Sequence, residues 1–332
     1  MTNSATHYLL SGFDRIAGWL NPTTAHIMAA LADRQRRDGM EGDIAEIGVH
    51  HGKSFLALAN SIAAGEKLFA IDVFEDQHKN TDKSGSGSRQ AFLDNMRIYA
   101  PGKVPEIIQE SSLDLPAMHW PEQHAGSIRF FSIDGSHTRE ATLNDLRIAE
   151  QTVKAGAIVA VDDVLSSHWL GVISGVFDYL SKGGTLLPFA MVPNKLLLTS
   201  GEPSRAKWSE FLRSRYARSM SKSGVKFLDH SIDIIEEDAL LMKEQRPDGV
   251  SEPGGEIIED QARQAGIERE ALSAQIAALK ERCNVLEAEN NEWALQRDET
   301  LAQLGRWKVF STSRIYRIMK AYIGIRGSTP PM

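Results

Sequence analysis

Between residues 43 and 164, short apolar runs alternate with stretches whose apolar positions recur at helical spacing. Ile44-Ala45-Glu46-Ile47 reads as a first strand, 53–64 as a helix, 67–71 as a second strand and 104–108 as a third. Phe130-Phe131-Ser132-Ile133 is a fourth run, and Ala157-Ile158-Val159-Ala160-Val161 a fifth. Between these two, Leu143, Leu146, Ile148, Ala149 and Val153 form the stripe of a helix over 138–154, which Gly156 is expected to end. A helix between two strand runs makes them parallel neighbours, and near-continuous apolar runs mean that both faces of the sheet are covered. The pattern is therefore α/β. Upstream, Ile27, Met28, Leu31 and Ala32 mark a helical segment ending near residue 39. Downstream, 169–180 and 208–216 read as helices, and 225–235 as a further strand. Two runs, 185–192 and 195–199, are split by Pro193-Asn194 and predict an antiparallel hairpin at the sheet edge. Residues 81–89, TDKSGSGSR, are a polar Gly/Ser loop; a plain linker and a segment that gates a site both stand open.

The pattern changes at 246–255, RPDGVSEPGG, which reads as a linker. Beyond it, 256–304 is charged and proline-free, with Ile258, Leu272, Leu279 and Leu286 among the d positions of a heptad repeat. Asn290 falls at an a position, a device that sets register and favours a homodimer. The final stretch, 305–332, has no acidic residue and interleaves Arg306, Lys308, Arg314, Arg317 and Lys320 with Trp307, Phe310, Tyr316 and Tyr322. A basic, aromatic amphipathic helix reads as a membrane-surface element, here over 305–326, with packing against the rest of the protein as the alternative. The organisation expected is a helical cap over 1–42, an α/β domain over 43–245, the linker, a coiled coil over 256–304 and a basic tail over 305–332.

Bulk properties trim the partners. A formal net charge of -7 argues against a general nucleic-acid binder. The single cysteine, Cys283, rules out a disulfide framework or a cysteine metal cluster. The first twenty residues lack a charged segment followed by an apolar core, and no apolar run approaches the roughly 18–20 residues of a membrane span. A cytoplasmic protein is expected, with peripheral contact at the inner face of the membrane through its tail.

The chemistry concentrates where strands end. Asp134 follows the fourth strand and Asp162-Asp163 the fifth. Adjacent strands lie about 5 Å apart, so these carboxylates meet at the carboxyl edge, where open α/β sheets bind ligands. They repel unless something positive sits between them. A divalent cation with oxygen ligands is the simplest candidate, and solvated strand ends or helix N-caps are the plain alternative. The first strand runs into EIGVHHGKS, where Gly48 and Gly52 flank a turn that lets backbone approach a ligand. The spacing is neither GxGxxG nor that of a phosphate loop. Asp72 ends the second strand, where an acid can hydrogen-bond a ribose diol, and Glu110-Ser111-Ser112 follow the third, beside an adenine pocket.

Taken together, EIGVHHGKS, Asp72, IDGSH and VDDV resemble class I S-adenosylmethionine-dependent methyltransferases over about residues 43–199. More narrowly they are similar to the branch holding metal-dependent, macrocin-type macrolide-sugar O-methyltransferases, as are HWLGVISGVFDYL and PNKLLLT further on. The resemblance implies a Rossmann-like, mostly parallel sheet with an antiparallel edge hairpin, here followed by the coiled coil. It implies that Gly48 and Gly52 form the turn beneath the methionine moiety, with Glu46, Ser54 and Asp134 as further cofactor contacts. Asp72 would bind the ribose, Ser111 and Ser112 would flank the adenine, and Asp134, Asp162 and Asp163 would hold Mg2+ or a similar ion. The acceptor implied is a small molecule or glycan bearing a sugar hydroxyl. Such a hydroxyl is a poor nucleophile; coordination to a dication acidifies and aligns it, and a general base removes the proton. Some members of this branch have DGD where this chain has Asp134-Gly135-Ser136, and serine cannot replace an acid there. His137 is the nearest substitute base, with helix capping or an outer position near the metal as the plain alternative. His50 and His51 read as loop-surface residues, while His168 and Trp169 stand near the acceptor side. The competing whole-chain reading is a coiled-coil scaffold with a catalytically silent, cofactor-binding domain.

Overall fold

The computed structural model describes residues 3–238. The linker, coiled coil and basic tail expected over 246–332 lie outside the described residues. Five of the apolar runs become parallel strands: β1 (Asp43–Ile47), β2 (Leu68–Ile71), β3 (Glu106–Ile108), β4 (Ile128–Ile133) and β5 (Val153–Asp162). Two antiparallel hairpins follow, β6 (Leu186–Val192) with β7 (Lys195–Ser200) and β8 (Met220–Phe227) with β9 (His230–Ile235). All nine join one sheet in the order β3-β2-β1-β4-β5-β7-β6-β9-β8.

The helices are α1 (Asn3–His7), α2 (Pro22–Arg37), α3 (Phe55–Ala59), α4 (Arg89–Tyr99), α5 (Trp120–Gln123), α6 (Arg139–Thr152), α7 (Leu170–Ser181) and α8 (Glu202–Arg215). Local chemistry sets several of their starts. The Asn21 side chain accepts from Thr23 N at 2.8 Å ahead of Pro22, and Thr138 Oγ1 accepts from Ala141 N at 3.2 Å. Successive strand residues point to opposite sides, so Phe130 and Ile158 pack with Met28, Phe55, Phe92 and Trp208, while Phe131 and Val159 pack with Trp120, Leu146 and Val176. The sheet is thereby covered on both faces, as its continuous apolar runs require. Among the described residues no helix is long and apolar enough to cross a membrane.

Three expectations need correction. The β6–β7 hairpin is not at the edge: β7 pairs with β5, and β9 pairs parallel with β6, which leaves β8 outermost. The stretch expected as one strand over 225–235 is instead the end of a second hairpin, turned at Leu228, whose φ is +52°. Gly156 does not end a helix. α6 stops at Thr152, and Gly156 sits inside β5 at φ +79°, where its N–H donates to Ser200 Oγ at 2.8 Å. Its missing side chain permits a local irregularity in the strand.

Candidate active site

The carboxyl ends of β1, β2, β4 and β5 open into a cleft of about 440 Å3. At its centre Gly48 takes φ +82°, and a Cβ there would overlap the carbonyl of Asp134, so only glycine fits between β1 and β4. Gly48 N donates to Ile71 O and Asp134 N to Ile47 O, each at 2.8 Å, which locks the turn to both neighbouring strands. Gly52 takes φ +90°, with Phe92 where a side chain would go.

Asp72, at the end of β2, lines the cleft and accepts from His50 N at 2.7 Å and Phe74 N at 2.6 Å. Burial pushes its carboxyl above the usual range. Ser111 and Ser112 line the same end; Ser111 Oγ accepts from Leu113 N at 3.3 Å, and Asn144 holds the Ser112 carbonyl at 3.0 Å. Glu46 is different. It is fully buried below the turn, takes hydrogen bonds from Ser54 and from Ser132 Oγ at 3.3 Å, and burial pushes it up to about 7. It supports the turn from beneath, while Ser54 reaches the cleft.

At the acceptor end the expected carboxylates do converge, but with an ammonium already among them. Lys195, the first residue of β7, is fully buried, ion-paired with Asp162 and 3.7 Å from Asp134. The β5–β7 register sets Asp162 opposite Lys195. A buried lysine without a counter-charge would be prohibitively costly; burial opposes its charge, and the flanking carboxylates outweigh that and raise it above its usual value. Asn194 donates to Asp162 Oδ1 at 3.0 Å and to Asp163 Oδ1 at 2.9 Å. Asp134 is raised well above the usual range by burial and by Asp162.

His137 stands at the head of α6, stacked on Trp169 with ring centroids 4.3 Å apart. Its Nε2 lies 2.9 Å from Asp163 Oδ2 and its Nδ1 2.9 Å from Asp82 Oδ2. Burial alone would lower the imidazole, but its hydrogen bonds to Asp163 and Asp82 prevail and push it up to about 9. Asp163 is held below the usual range: burial works the other way and is outweighed by His137 and Asn194. Asp134, His137 and Asp163 each offer one donor atom, all within 4.8 Å of one another, a set whose chemistry fits a divalent cation. Asp162 is instead engaged by Lys195 and Asn194.

Residues 45–164 match a family model described as a methyltransferase domain. The chain carries a methyltransferase domain. Similar solved structures include the O-methyltransferase NovP, 15% identical over 54% of this chain and 79% of that one, with a TM-score of 0.45. An O-methyltransferase from Bacillus cereus in complex with SAH is 14% identical over 60% of this chain and 92% of that one, TM-score 0.44. TomG from Streptomyces achromogenes, in complex with SAM, is 16% identical over 60% and 91%, TM-score 0.42. No curated protein matches the chain.

The methyltransferase domain thus gathers Gly48, Ser54, Asp72, Ser111, Ser112 and Asp134 around one end of its cleft, and His137, Asp162 and Asp163 around the other. Reading along the chain missed three contributors. Asp82 comes from the Gly/Ser loop, of which it is the one acidic residue. Lys195 opens β7 as its one charged residue, and a charge at the start of a run reads in sequence as a solvated strand end. Trp19 lines the rim at 79% exposure, its ring 5.8 Å from that of His50. His50 also lines the cleft rather than the outer surface, whereas His168 is exposed and outside it.

Proposed function

We propose that this methyltransferase domain transfers the sulfonium methyl of S-adenosylmethionine to a hydroxyl of a sugar, glycan or glycolipid. The observation that carries the reading is the cleft itself, continuous from the glycine turn and Asp72 to a histidine held between two carboxylates. At one end, Gly48 and Gly52 let the backbone lie against the methionine moiety, Asp72 takes the ribose hydroxyls, and Ser111 and Ser112 flank the adenine. At the other, the acceptor oxygen attacks the methyl carbon as the carbon–sulfur bond breaks. The hydroxyl proton passes to Nε2 of His137, leaving S-adenosylhomocysteine, the methyl ether and an imidazolium stabilised by Asp163 and Asp82. In the metal-free protein, hydrogen bonds to Asp163 and Asp82 outweigh burial and keep His137 mostly protonated at neutral pH, so the base must first lose that proton before it can act.

Asp134 and Asp163 would supply the carboxylates for a divalent ion, with His137 Nε2 kept out of the ligand set so that it can serve as the base. When bound, such an ion contributes Lewis-acid polarisation of the acceptor hydroxyl. Asp162, paired with Lys195, accepts from Asp163 N at 2.8 Å and so orients its neighbour. A polyhydroxylated acceptor suits a rim that combines the exposed Trp19 indole with polar groups such as Asn194. Pairing of two copies through 256–304 and membrane-surface contact through 305–326 complete the proposal, and suit an acceptor that is itself lipid-linked.

The test supplies S-adenosylmethionine labelled in its methyl group together with methyl hexosides, a deoxyhexoside, an aminohexoside, a hexuronic acid and a polyprenyl-linked disaccharide, in Mg2+ or in chelator. Label on an acceptor hydroxyl, lost in chelator, is expected. Label found only on amine or carboxylate acceptors, with the cofactor bound normally, would overturn the hydroxyl assignment.

A further inference from the structure

Helix α7, LGVISGVFDYLS, has a single charged residue, Asp178, and is apolar on both sides. Its inner side, with Val172, Val176 and Tyr179, is buried in the cluster that holds Leu146 and Val159. Gly171 and Gly175 seat it on α6, because a Cβ at these positions would overlap the His137 carbonyl and the Thr142 side chain respectively. That seating fixes which side turns outward. Leu170, Ser174 and Phe177 follow one another there at spacings of four and three, with Ile173 half-buried. Leu170 is 64% exposed and Phe177 52%. A helix that is apolar all round is ordinarily covered all round. By contrast, α8 turns Glu202, Glu210 and Arg213 to solvent.

The exposed side begins at the site. Trp169, one residue before α7, lines the cleft and stacks on His137. Leu165, in the turn that leads from Asp163 to Trp169, is open as well. From Leu170 to Phe177 the strip extends about 10 Å along the helix, starting beside Trp169. Its size discriminates between occupants. Two leucines and a phenylalanine open to this degree present on the order of a few hundred Å2, whereas each partner of a stable dimer covers roughly 800 Å2. A second copy would need far more surface than this. One hydrocarbon chain needs no more.

We propose that the outer side of α7 is a track for the aliphatic tail of an amphiphilic acceptor whose hydroxyl head lies in the cleft beside Trp169. The head's place there rests on the reading of the cleft as a site for hydroxyl acceptors; the tail adds the class of acceptor, a glycoside carrying a hydrocarbon chain. Each methylene laid on the strip leaves water, so affinity should climb about two- to fourfold per methylene, the upper figure holding for full burial.

The experiment uses the full chain, labelled S-adenosylmethionine and the hexoside that the wild type labels best, prepared as its methyl, butyl, hexyl and octyl glycosides and kept below micelle-forming concentrations. In the wild type kcat/KM should climb by that factor per methylene, through KM rather than kcat, because the head and the chemistry are unchanged. In Leu170→Ser/Phe177→Ser the climb should flatten while the methyl glycoside is turned over as before, which also shows that the variant is folded. Leu170→Met/Phe177→Leu, still apolar, should keep the climb. A wild type indifferent to chain length, or a serine variant with the full climb, would overturn the proposal. So would a serine variant that keeps the climb but loses self-association in sedimentation or binding to phosphatidylglycerol vesicles, since the strip would then serve a second copy or a membrane. A wild type that binds the cofactor yet methylates no glycoside of any length removes the hydroxyl reading and the track with it, a result distinct from methylation that ignores the tail.

Discussion

Lys195 shows how much a single side chain can change the electrostatics of a strand edge. Its ammonium neutralises Asp162 from inside the core, where burying either charge alone would be prohibitive. Lys195→Met should therefore cost about 3–5 kcal/mol, the usual result of stripping one partner from a buried pair. If Asp134 and Asp162 can gather a dication, millimolar Mg2+ should recover part of that loss, raising the melting temperature of the variant more than that of the wild type. A variant that melts identically in Mg2+ and in chelator would show that these carboxylates collect no divalent ion. Gly48 is constrained by space rather than charge. Gly48→Ala adds a methyl group against the Asp134 carbonyl at a backbone conformation that disfavours any side chain. Its expected effect is a loss of roughly five- to 150-fold in S-adenosylmethionine affinity by calorimetry, the equivalent of the about 1–3 kcal/mol that such strain costs. The need for glycine was legible from its place after a strand, but the atom it makes room for was not.

Among elements, position in the sheet separates strands that look alike as strings. β5 is flanked by β4 and β7 and buried from Gly156 to Asp162, whereas β8 is outermost and exposed from Ser221 to Gly224. Opening free energies follow burial, so amides in the β5 core should exchange with solvent slowest and those of β8 among the fastest. Hydrogen exchange read by mass spectrometry checks this, and slow exchange throughout β8 would mean that another surface covers that edge. α4 had a helical signature in Phe92, Met96 and Tyr99, all buried at spacings of four and three, yet its mixed polar sequence beside a Gly/Ser loop concealed it. The β6–β7 hairpin was recognisable from Pro193-Asn194, but its interior place depends on β9 pairing with β6, and a turn signal carries no information about that.

For the molecule as a whole, pH-dependent stability is set by groups pushed in both directions. Burial raises Glu46 and Asp145 to about 7 from their ordinary 4.5 and 3.8, and His137 rises to about 9 from 6.5. Each favours the folded state when protonated, so its contribution is complete below the ordinary value and disappears as pH climbs through 7 for the acids and 9 for the histidine. Asp82 and Asp163 are lowered instead; their contribution is complete above the ordinary 3.8 and disappears as pH falls through their folded values. Thermal melts in chelator should thus be highest at about pH 4, where the lowered acids contribute fully and the raised groups have yet to lose theirs, and decline steadily towards pH 10; a melting temperature that climbs between pH 6 and 9 would contradict these assignments. The α/β class and the meeting of Gly48, Asp72 and Asp134 at one strand edge were legible in the sequence alone. Strand and helix periodicities are local, and strand ends sit next to one another by construction. Tertiary structure alone decided that Lys195 reaches Asp162 across 33 residues and that Asp82 reaches His137 across 55. Those contacts depend on strand order and on a loop folding back over the sheet, and no period along the chain encodes either.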